Sequence, residues 1–252
     1  MGDDGGPLQR QALAAPGEPV LDRGVRFLDG VQVAVERLPE VAGGEEREPV
    51  ARDCVNPLEL AEELARIHTI PLERLPFLPA GDLWEALYRD LDAVEEPHPA
   101  IEYGLAWCRE RLSLQRPAVV SHGDFRLGNL VVGPQGLAAV LDWEFAHVSD
   151  PAEDLAWPLV RAWRFGVDDR RLGGIDDVEP YLERYAELTG RVVPPDELYA
   201  WEVLGNCKWA IGALGQTRRH LSGEDRDIEY AILGRLAAEM EYELLDLIAR
   251  AA

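Results

Sequence analysis

One stretch, residues 121–157, constrains the fold of this chain more than any other. It reads SHGDFRLGNLVVGPQGLAAVLDWEFAHVSDPAEDLAW and holds two short apolar runs, Leu130–Val132 and Leu137–Leu141. Between them lies Gly133-Pro134-Gln135-Gly136, a sequence typical of a turn. The pattern therefore predicts a β-hairpin whose returning strand ends at Asp142.

The predicted hairpin brings three polar side chains together. Asn129 directly precedes its first strand, Asp142 follows its second, and Asp124 lies five residues before Asn129. Phosphoryl transfer from Mg-ATP uses such a set, in which one carboxylate orients and deprotonates the attacking hydroxyl while an amide oxygen and a second carboxylate hold Mg²⁺. The spacing H-x-D-x-x-x-x-N before a hairpin and an Asp is typical of a kinase catalytic loop. By chance, His-Gly-Asp with Asn at this offset arises in on the order of one chain in a thousand.

Two motifs in this stretch, HGDFRLGN and LDWEFAHVSDPAEDLAW, resemble the aminoglycoside phosphotransferase (choline-kinase-like) family of small-molecule kinases. The resemblance is closest to the branch called phosphotransferase family protein, which includes kinase domains associated with acyl-CoA dehydrogenases. It continues through residues 160–166, 201–206 and 239–242 and covers the chain from about Val20 to the end. It implies an α+β, protein-kinase-like fold with a mainly helical C-lobe around a catalytic hairpin and a truncated β-rich N-lobe.

The resemblance also implies a role for the polar residues of the stretch. Asp124 is the expected catalytic base, and Asn129 and Asp142 are the expected Mg²⁺ ligands, with ATP as the phosphoryl donor. Asp154 is expected to be a buried acceptor that braces the catalytic loop, although position alone explains it equally well as an acidic residue in the first turn of a helix. Two further members of the catalytic set are expected to support the loop, His122 and Arg126.

Upstream of this stretch, the chain predicts a small β-rich segment. Residues 25–28 and 31–35 are separated by Asp29-Gly30, which predicts a hairpin with a two-residue turn. Its second strand resembles the last N-lobe strand of the family, which implies that the following backbone is a hinge that binds the adenine edge; an ordinary edge hairpin is the alternative. The implied hinge consists of Glu36, Arg37 and Leu38. The predicted domains are an N-lobe remnant with hinge, 1–50, and a helical C-lobe, 51–252, with the catalytic loop at 121–157.

The sequence lacks two parts with which a kinase holds phosphates, a Gly-rich loop and a lysine on an N-lobe strand. The chain contains 24 Arg and one Lys, and this residue, Lys208, lies far downstream on a predicted helix. Either the true start lies upstream of this sequence, or the protein natively lacks half of its N-lobe. In the second case an arginine takes the place of the lysine. The candidates are Arg10, Arg23 and Arg26.

A formal net charge of −22 argues against nucleic acid and against an anionic membrane surface as partners. It would help to steer a cationic substrate, but general solubility or a salt-adapted source is the better explanation of the charge. No apolar run has the length of a membrane span, and the N-terminus is unlike a signal peptide. Three widely spaced cysteines, Cys54, Cys108 and Cys207, lack disulfide or zinc spacing. We therefore expect a cytoplasmic protein, and the sequence leaves its oligomeric state open.

Helical patterns fill the rest of the C-lobe. Asn56-Pro57 predicts a helix start with a capping side chain and a proline at the first position. Further helices are predicted over 82–95, 100–112, 178–188, 195–220 and 224–249. The last carries an apolar stripe from Ile228 to Leu247 that predicts core packing. Glu197 and Glu202, on the preceding helix, are candidates for recognising an amine if they face the cleft.

The sequence thus favours an ATP- and Mg²⁺-dependent phosphotransferase acting on a hydroxyl of a small molecule. An aminoglycoside, another amino alcohol and a hydroxyacyl compound are the acceptors considered. The alternative from another class is a catalytically inactive, kinase-like binding or regulatory protein, or a truncated fragment, which the missing lysine and Gly-rich loop suggest. A metal-dependent phosphohydrolase using the same acidic residues is a third hypothesis.

Overall fold

The computed structural model of the protein describes residues 55–114, 116–133 and 136–251. All of them fall within one compact unit. The predicted N-terminal hairpin and the division into residues 1–50 and 51–252 therefore stay predictions. Several residues named above lie outside the described residues: Arg10, Arg23, Arg26, Glu36, Arg37, Leu38, Cys54, Pro134 and Gln135.

Helices dominate the described part of the chain. The α-helices are α1 (Pro57–His68), α2 (Leu83–Asp92), α3 (Pro99–Arg109), α4 (Pro151–Ala156), α5 (Glu179–Thr189), α6 (Pro195–Ser222) and α7 (Ile228–Arg250). Short 3₁₀ turns occur at Leu72–Arg74, Leu127–Asn129, Trp143–Phe145, Trp157–Leu159 and Arg161–Arg164.

The helix boundaries follow local capping chemistry. The Asn56 side chain accepts from the backbone N–H of Leu58 at 2.9 Å, and Pro57 occupies the first helical position. Asp82 caps α2 in the same way, accepting from Glu85. Gly190 ends α5 in the left-handed conformation that glycine adopts without strain. The predicted helices are confirmed to within a few residues because these signals are local.

Two small antiparallel sheets lie between α3 and α4. Strands β2 (Leu130–Gly133) and β3 (Gly136–Val140) form the predicted hairpin, with Leu130 opposite Val140 and a bulge after Val131. Strand β1 (Val119–Ser121) pairs with β4 (His147–Ser149). The sequence did not indicate β4, because three residues are too few to show an alternating pattern.

The core centres on α6, against which α3, α4 and α7 pack. Small residues allow this close approach: a Cβ on Gly104 of α3 would lie 2.7 Å from the Cys207 sulfur, and one on Gly205 would lie 2.6 Å from Val160. Cys108 and Cys207 are both free and buried. Burial raises the pKa of the Cys207 thiol to about 12, so it behaves as an apolar core residue.

The apolar stripe of α7 is core only in its second half. Met240, Leu244 and Leu247 are buried, whereas Ile228 and Ile232 are 68% and 52% exposed. The prediction that the whole stripe packs in the core is therefore wrong for its first two turns. Periodicity identifies the apolar face of a helix but does not show how far its partner helix extends. In the described residues, every helix is too short or too polar to cross a membrane.

Candidate active site

The catalytic loop begins with a turn that requires glycine. Gly123 has φ +79°, and a Cβ at this position would lie 2.4 Å from the backbone oxygen of Phe145. Any other residue would combine an unfavourable backbone conformation with a clash against backbone. This turn directs the next residue, Asp124, away from β1 and into the site. The glycine of the His-Gly-Asp motif therefore sets the position of the carboxylate.

The carboxylate of Asp124 is held by three side chains. Oδ1 accepts from the indole Nε1 of Trp157 at 2.6 Å, and Oδ2 accepts from the amide Nδ2 of Asn129 at 2.6 Å. The Nε of Arg126 lies 3.2 Å from Oδ1 and 3.1 Å from Oδ2. Asp124 is 7% exposed. A carboxylate with this many donors is fixed in one orientation.

Asn129 is oriented by its contacts with Asp124. Its Nδ2 donates to both the backbone oxygen and Oδ2 of Asp124, so its Oδ1 faces away and accepts no hydrogen bond from the described residues. The backbone oxygen of Asn129 also accepts from Leu141 N at 2.7 Å. The hairpin therefore closes on Asn129 and delivers the next residue, Asp142, to the same end, as predicted.

Asp142 differs from its neighbours because its side chain is exposed and makes no hydrogen bond or ion pair with any residue that the structure describes. Its backbone is left-handed, with φ +66°. Such a conformation in a residue other than glycine is uncommon and occurs often at functional sites. The carboxylate of Asp142 and Oδ1 of Asn129 are two hard oxygen donors with free lone pairs, the type that Mg²⁺ prefers.

No cluster of three or more His, Cys, Asp or Glu poised to hold a metal occurs among the residues that the structure describes.

His122 links the loop to the hairpin and is fully buried. Its Nε2 lies 3.0 Å from the backbone oxygen of Leu141, and its Nδ1 lies 3.2 Å from the backbone N–H of Asp124. A carbonyl only accepts and an N–H only donates, so this geometry defines the neutral tautomer with the proton on Nε2. Burial lowers the pKa of His122 despite the nearby carboxylates of Asp154 and Asp124. These contacts describe a supporting residue.

Asp154 supports the loop by accepting hydrogen bonds from its backbone. Its Oδ2 accepts from the backbone N–H of His122 at 2.7 Å, and Oδ1 accepts from Gly123 N at 2.9 Å. Oδ2 also lies 3.1 Å from Nε2 of His68, whose other ring nitrogen lies 2.7 Å from the hydroxyl of Tyr185. Burial alone would raise the pKa of Asp154, but its interactions with His68 lower it. Asp154 is thus more than a first-turn acid, and it holds the backbone of the loop.

Sequence reasoning missed several contacts that support the loop and its neighbours Asp154, Trp157 and Arg126. His68 is buried and is the partner of Asp154. Lys208 of α6 forms an ion pair with the buried Glu153 and lies 5.3 Å from the centre of the Trp157 ring. The guanidinium of Arg126 lies 4.5 Å from the centre of the Trp163 ring. Two features of the sequence could have indicated these contacts: Lys208 is the only lysine of the chain, and Trp157 is the last residue of the motif LDWEFAHVSDPAEDLAW.

The two glutamates considered for amine recognition are already paired. Glu197 accepts from Arg116 at 2.6 and 2.7 Å. Glu202 is fully buried and is bound by Arg164 at 2.6 Å and by Arg171. The hypothesis that they face the cleft is therefore wrong for Glu202, which serves as an internal counter-ion. Burial raises its pKa, although both guanidinium groups oppose this.

A loop that presents Asp124 and Asn129, a hairpin that ends at Asp142 and a mainly helical body define the class of protein-kinase-like phosphotransferases. The sequence profile of the phosphotransferase enzyme family matches residues 33–188, and the chain belongs to this family. The resemblance stated above and the protein-kinase-like fold are thus confirmed.

Known relatives agree with this assignment. Acyl-CoA dehydrogenase family member 10 of Mus musculus is 28% identical over 216 residues, covering 77% of this chain and 20% of the relative. The chain therefore spans about a fifth of the length of this curated relative. An aminoglycoside phosphotransferase-like protein of Ralstonia eutropha JMP134 superposes with a TM-score of 0.63 at 22% identity, covering 76% of this chain and 64% of that one. Choline kinase of Streptococcus pneumoniae gives a TM-score of 0.53 at 19% identity, with the same two coverages. At these identities the solved structures show the fold alone.

Proposed function

We propose that this protein transfers the γ-phosphoryl group of ATP to a hydroxyl of a small molecule, with Asp124 as the base. The observation that carries the proposal is the environment of Asp124, a largely buried carboxylate fixed by Trp157, Asn129 and Arg126. A base held in this way orients an incoming hydroxyl without reorganisation during the reaction. The two oxygens share the single Nε–H of Arg126, so when Arg126 turns away an acceptor site opens for that hydroxyl, because a carboxylate has about four such sites.

Mg²⁺ fits the residues beside Asp124. Oδ1 of Asn129 and the carboxylate of Asp142 would hold it, because both are oxygen donors without a partner in the described part of the chain. When bound, the ion neutralises charge on the phosphates. The contact between Nδ2 of Asn129 and Asp124 ties the orientation of the proposed ligand to that of the base.

Arg126 has the position and chemistry to meet the transferred group. Its guanidinium contacts both oxygens of Asp124, and its side chain is 24% exposed on a flexible stem. Guanidinium groups bind phosphate oxygens through paired hydrogen bonds. We therefore infer that Arg126 exchanges part of its contact with Asp124 for the phosphoryl group when ATP binds.

The acceptor is a small molecule in this proposal, and three types are worth testing. The curated relative carries acyl-CoA dehydrogenase in its name, and one solved neighbour is a choline kinase. The net charge of −22 favours a cationic acceptor such as choline or an aminoglycoside. A hydroxyacyl compound fits the curated relative. We assign neither nucleic acid nor a membrane as partner, for the same electrostatic reason.

The first experiment combines calorimetric titration with a turnover assay on the full chain. Saturable binding of ATP that requires Mg²⁺, together with ADP release that depends on choline, an aminoglycoside or a hydroxyacyl compound, supports the proposal. Binding without acceptor-dependent turnover supports the alternative of a kinase-like binding protein. Phosphate release from ATP with no stimulation by any acceptor supports the phosphohydrolase hypothesis and contradicts ours.

A further inference from the structure

One hydrogen bond to the proposed base comes from outside the catalytic loop. Oδ1 of Asp124 accepts from the indole Nε1 of Trp157 at 2.6 Å. The other donors, Arg126 and Asn129, belong to the same loop as Asp124. Among the described residues, Trp157 is thus the one side-chain donor that ties this carboxylate to another element, the segment that follows α4. It is 8% exposed.

The indole is better suited than Arg126 to fix the carboxylate during a reaction. The guanidinium of Arg126 is partly exposed, and phosphate oxygens compete for it. The Trp157 side chain rotates about only two bonds and is enclosed by packing. If Arg126 moves toward a phosphate, Trp157 becomes the remaining donor to Oδ1 in this arrangement.

The Trp157 ring is itself held by a charged pair. The ammonium of Lys208 lies 5.3 Å from the ring centre, at the distance of a cation–π interaction. Lys208 is anchored by the carboxylate of Glu153, which is 4% exposed and also interacts with His147 at 3.1 Å and with the hydroxyl of Ser149. Burial alone would raise the pKa of Glu153, but Lys208 and His147 hold it well below its usual range. Glu153 is therefore a carboxylate at neutral pH.

We propose that Trp157 is a positioning residue for the base Asp124, and that Glu153 and Lys208 position Trp157; this rests on the phosphotransferase function proposed above. Glu153 and Trp157 are four residues apart on one helical segment and share a side of it. The same segment supports the loop backbone through Asp154. One short element thus holds both the backbone of the loop and its reacting carboxylate.

This arrangement predicts an effect on turnover rather than on nucleotide binding. Trp157→Phe removes the indole N–H and keeps an aromatic ring for packing. We expect kcat to fall about tenfold, the size of effect typical for loss of one hydrogen bond to a charged group. We expect KM for Mg-ATP to change less than about twofold, because the indole N–H donates to the proposed base and not to a proposed metal ligand. Turnover is measured as ADP release with whichever of the three acceptors is active.

A second tryptophan supplies the matched control. Trp107 on α3 is partly buried and also carries a cation, since the guanidinium of Arg111 lies 4.1 Å from its ring centre. It makes no contact with Asp124. Trp107→Phe is therefore expected to leave kcat unchanged, so a loss specific to Trp157→Phe does not come from replacing a tryptophan as such.

The hydrogen bond has a readout that needs no turnover. In a ¹⁵N–¹H spectrum at fixed pH, the indole N–H of Trp157 is expected downfield of the other tryptophans, because it donates to a carboxylate over a short distance. Asp124→Asn is expected to move this resonance by several tenths of a ppm and to leave that of Trp107 in place. Assignment through backbone connectivity keeps this test independent of the stability of Trp157→Phe.

The role of Lys208 is tested by two substitutions. Lys208→Met removes the cation and is expected to lower kcat about threefold, in proportion to a weak cation–π contact. Lys208→Arg keeps a cation that pairs with Glu153 and stacks on an indole, and is expected to recover most of that loss. If Lys208→Met fails to fold because Glu153 loses the cation of Lys208, the double variant Glu153→Gln with Lys208→Met removes both charges and is measured in its place.

The outcomes separate the two proposals. The role of Trp157 is overturned if Trp157→Phe has the kcat of the wild type. It is also overturned if the indole resonance of Trp157 does not shift in Asp124→Asn. An increase in KM for Mg-ATP with unchanged kcat overturns it as well. Absence of turnover in the wild-type protein with every acceptor overturns the proposed function, while the resonance still decides whether Trp157 holds Asp124.

Discussion

The two carboxylates of the site, Asp124 and Asp142, lie in opposite environments. Asp124 is 7% exposed, and three side chains donate to its oxygens. Asp142 is exposed, has a left-handed backbone, and its side chain makes no hydrogen bond or ion pair with the described residues. The proposed base is therefore already fixed in the absence of substrate, whereas no described residue occupies the oxygens of the proposed metal ligand.

The contrast has a physical reason. A general base gains from a fixed orientation, since every degree of freedom removed in advance lowers the cost of reaching the transition state. A metal ligand loses affinity if protein donors occupy its lone pairs first, because those hydrogen bonds must break when the ion binds. If this interpretation is right, substitutions at the two positions affect different steps, and the predictions below test that separation.

The largest effect is expected for Asp124→Asn. The amide cannot accept a proton from the hydroxyl of the acceptor, so turnover should fall by about 10²–10⁴-fold. The affinity for Mg-ATP should stay within about threefold, because the proposed metal ligands remain. Rapid-quench measurement of phosphoryl transfer, beside calorimetry with ATP, checks both halves. Substantial residual transfer would contradict the assignment of Asp124 as base.

Asp154→Asn tests the support of the loop. The amide has one oxygen where Asp154 uses two, so either His122 N or Gly123 N loses its acceptor and His68 loses its charged partner. We expect a loss of about 3 kcal/mol in the free energy of unfolding, measured by urea denaturation at pH 7. Because the pKa of Asp154 is lowered in the fold, this contribution is present at neutral pH and is lost as the pH falls through the lowered pKa.

A matched control for Asp154→Asn is Asp82→Asn. Asp82 is exposed and caps α2, and asparagine is an equally good capping residue. This change should leave the unfolding free energy within about 0.5 kcal/mol. Equal losses in the two variants would show that Asp154 is no more than a first-turn acid.

Asp142→Asn is expected to have a smaller effect, confined to the metal. Affinity for ATP in the presence of Mg²⁺ should weaken about tenfold, since one charged oxygen ligand is lost. The free energy of unfolding should change by less than about 0.5 kcal/mol, because the exposed side chain makes no hydrogen bond or ion pair with the described residues. Titration with ATP at several Mg²⁺ concentrations measures this directly. If Asp142→Asn binds Mg-ATP normally but transfers the phosphoryl group slowly, Asp142 affects the same step as Asp124, and the proposed separation of roles is wrong.

The catalytic hairpin and its polar residues could be predicted because their signals are local. Asp124, Asn129 and Asp142 lie within nineteen residues, and a turn sequence with two apolar runs decides how they meet. Helix ends such as Asn56-Pro57 carry their own capping chemistry. For these parts, short-range rules were enough.

The support of the site could not be predicted, because it depends on packing between distant segments. His68 reaches Asp154 across 86 positions, and Lys208 reaches Glu153 across 55. No periodicity or spacing rule connects such pairs. The exposed start of the α7 stripe shows the same limit, because periodicity did not reveal where packing against that helix ends. Rarity was the usable hint, since a single lysine in a chain with 24 arginines invites the question of what it contacts.

The smallest expected effect is a pH dependence of the free energy of unfolding. It concerns His147, which contacts Glu153 in the support of Asp124, and not the proposed metal ligand. Burial alone lowers the pKa of His147, but its hydrogen bond and attraction to Glu153 raise it above the ordinary value, against the opposing charge of Lys208. A group with a raised pKa in the folded protein stabilises it fully below its unfolded pKa of about 6.5, and this contribution disappears as pH rises through the raised value. The difference in unfolding free energy between the wild type and His147→Gln should therefore shrink from pH 6 to pH 8.5. Urea denaturation of both proteins across this range measures it. A difference that grows with pH would mean that His147 is neutral in the fold, and that Lys208 alone compensates the buried charge of Glu153.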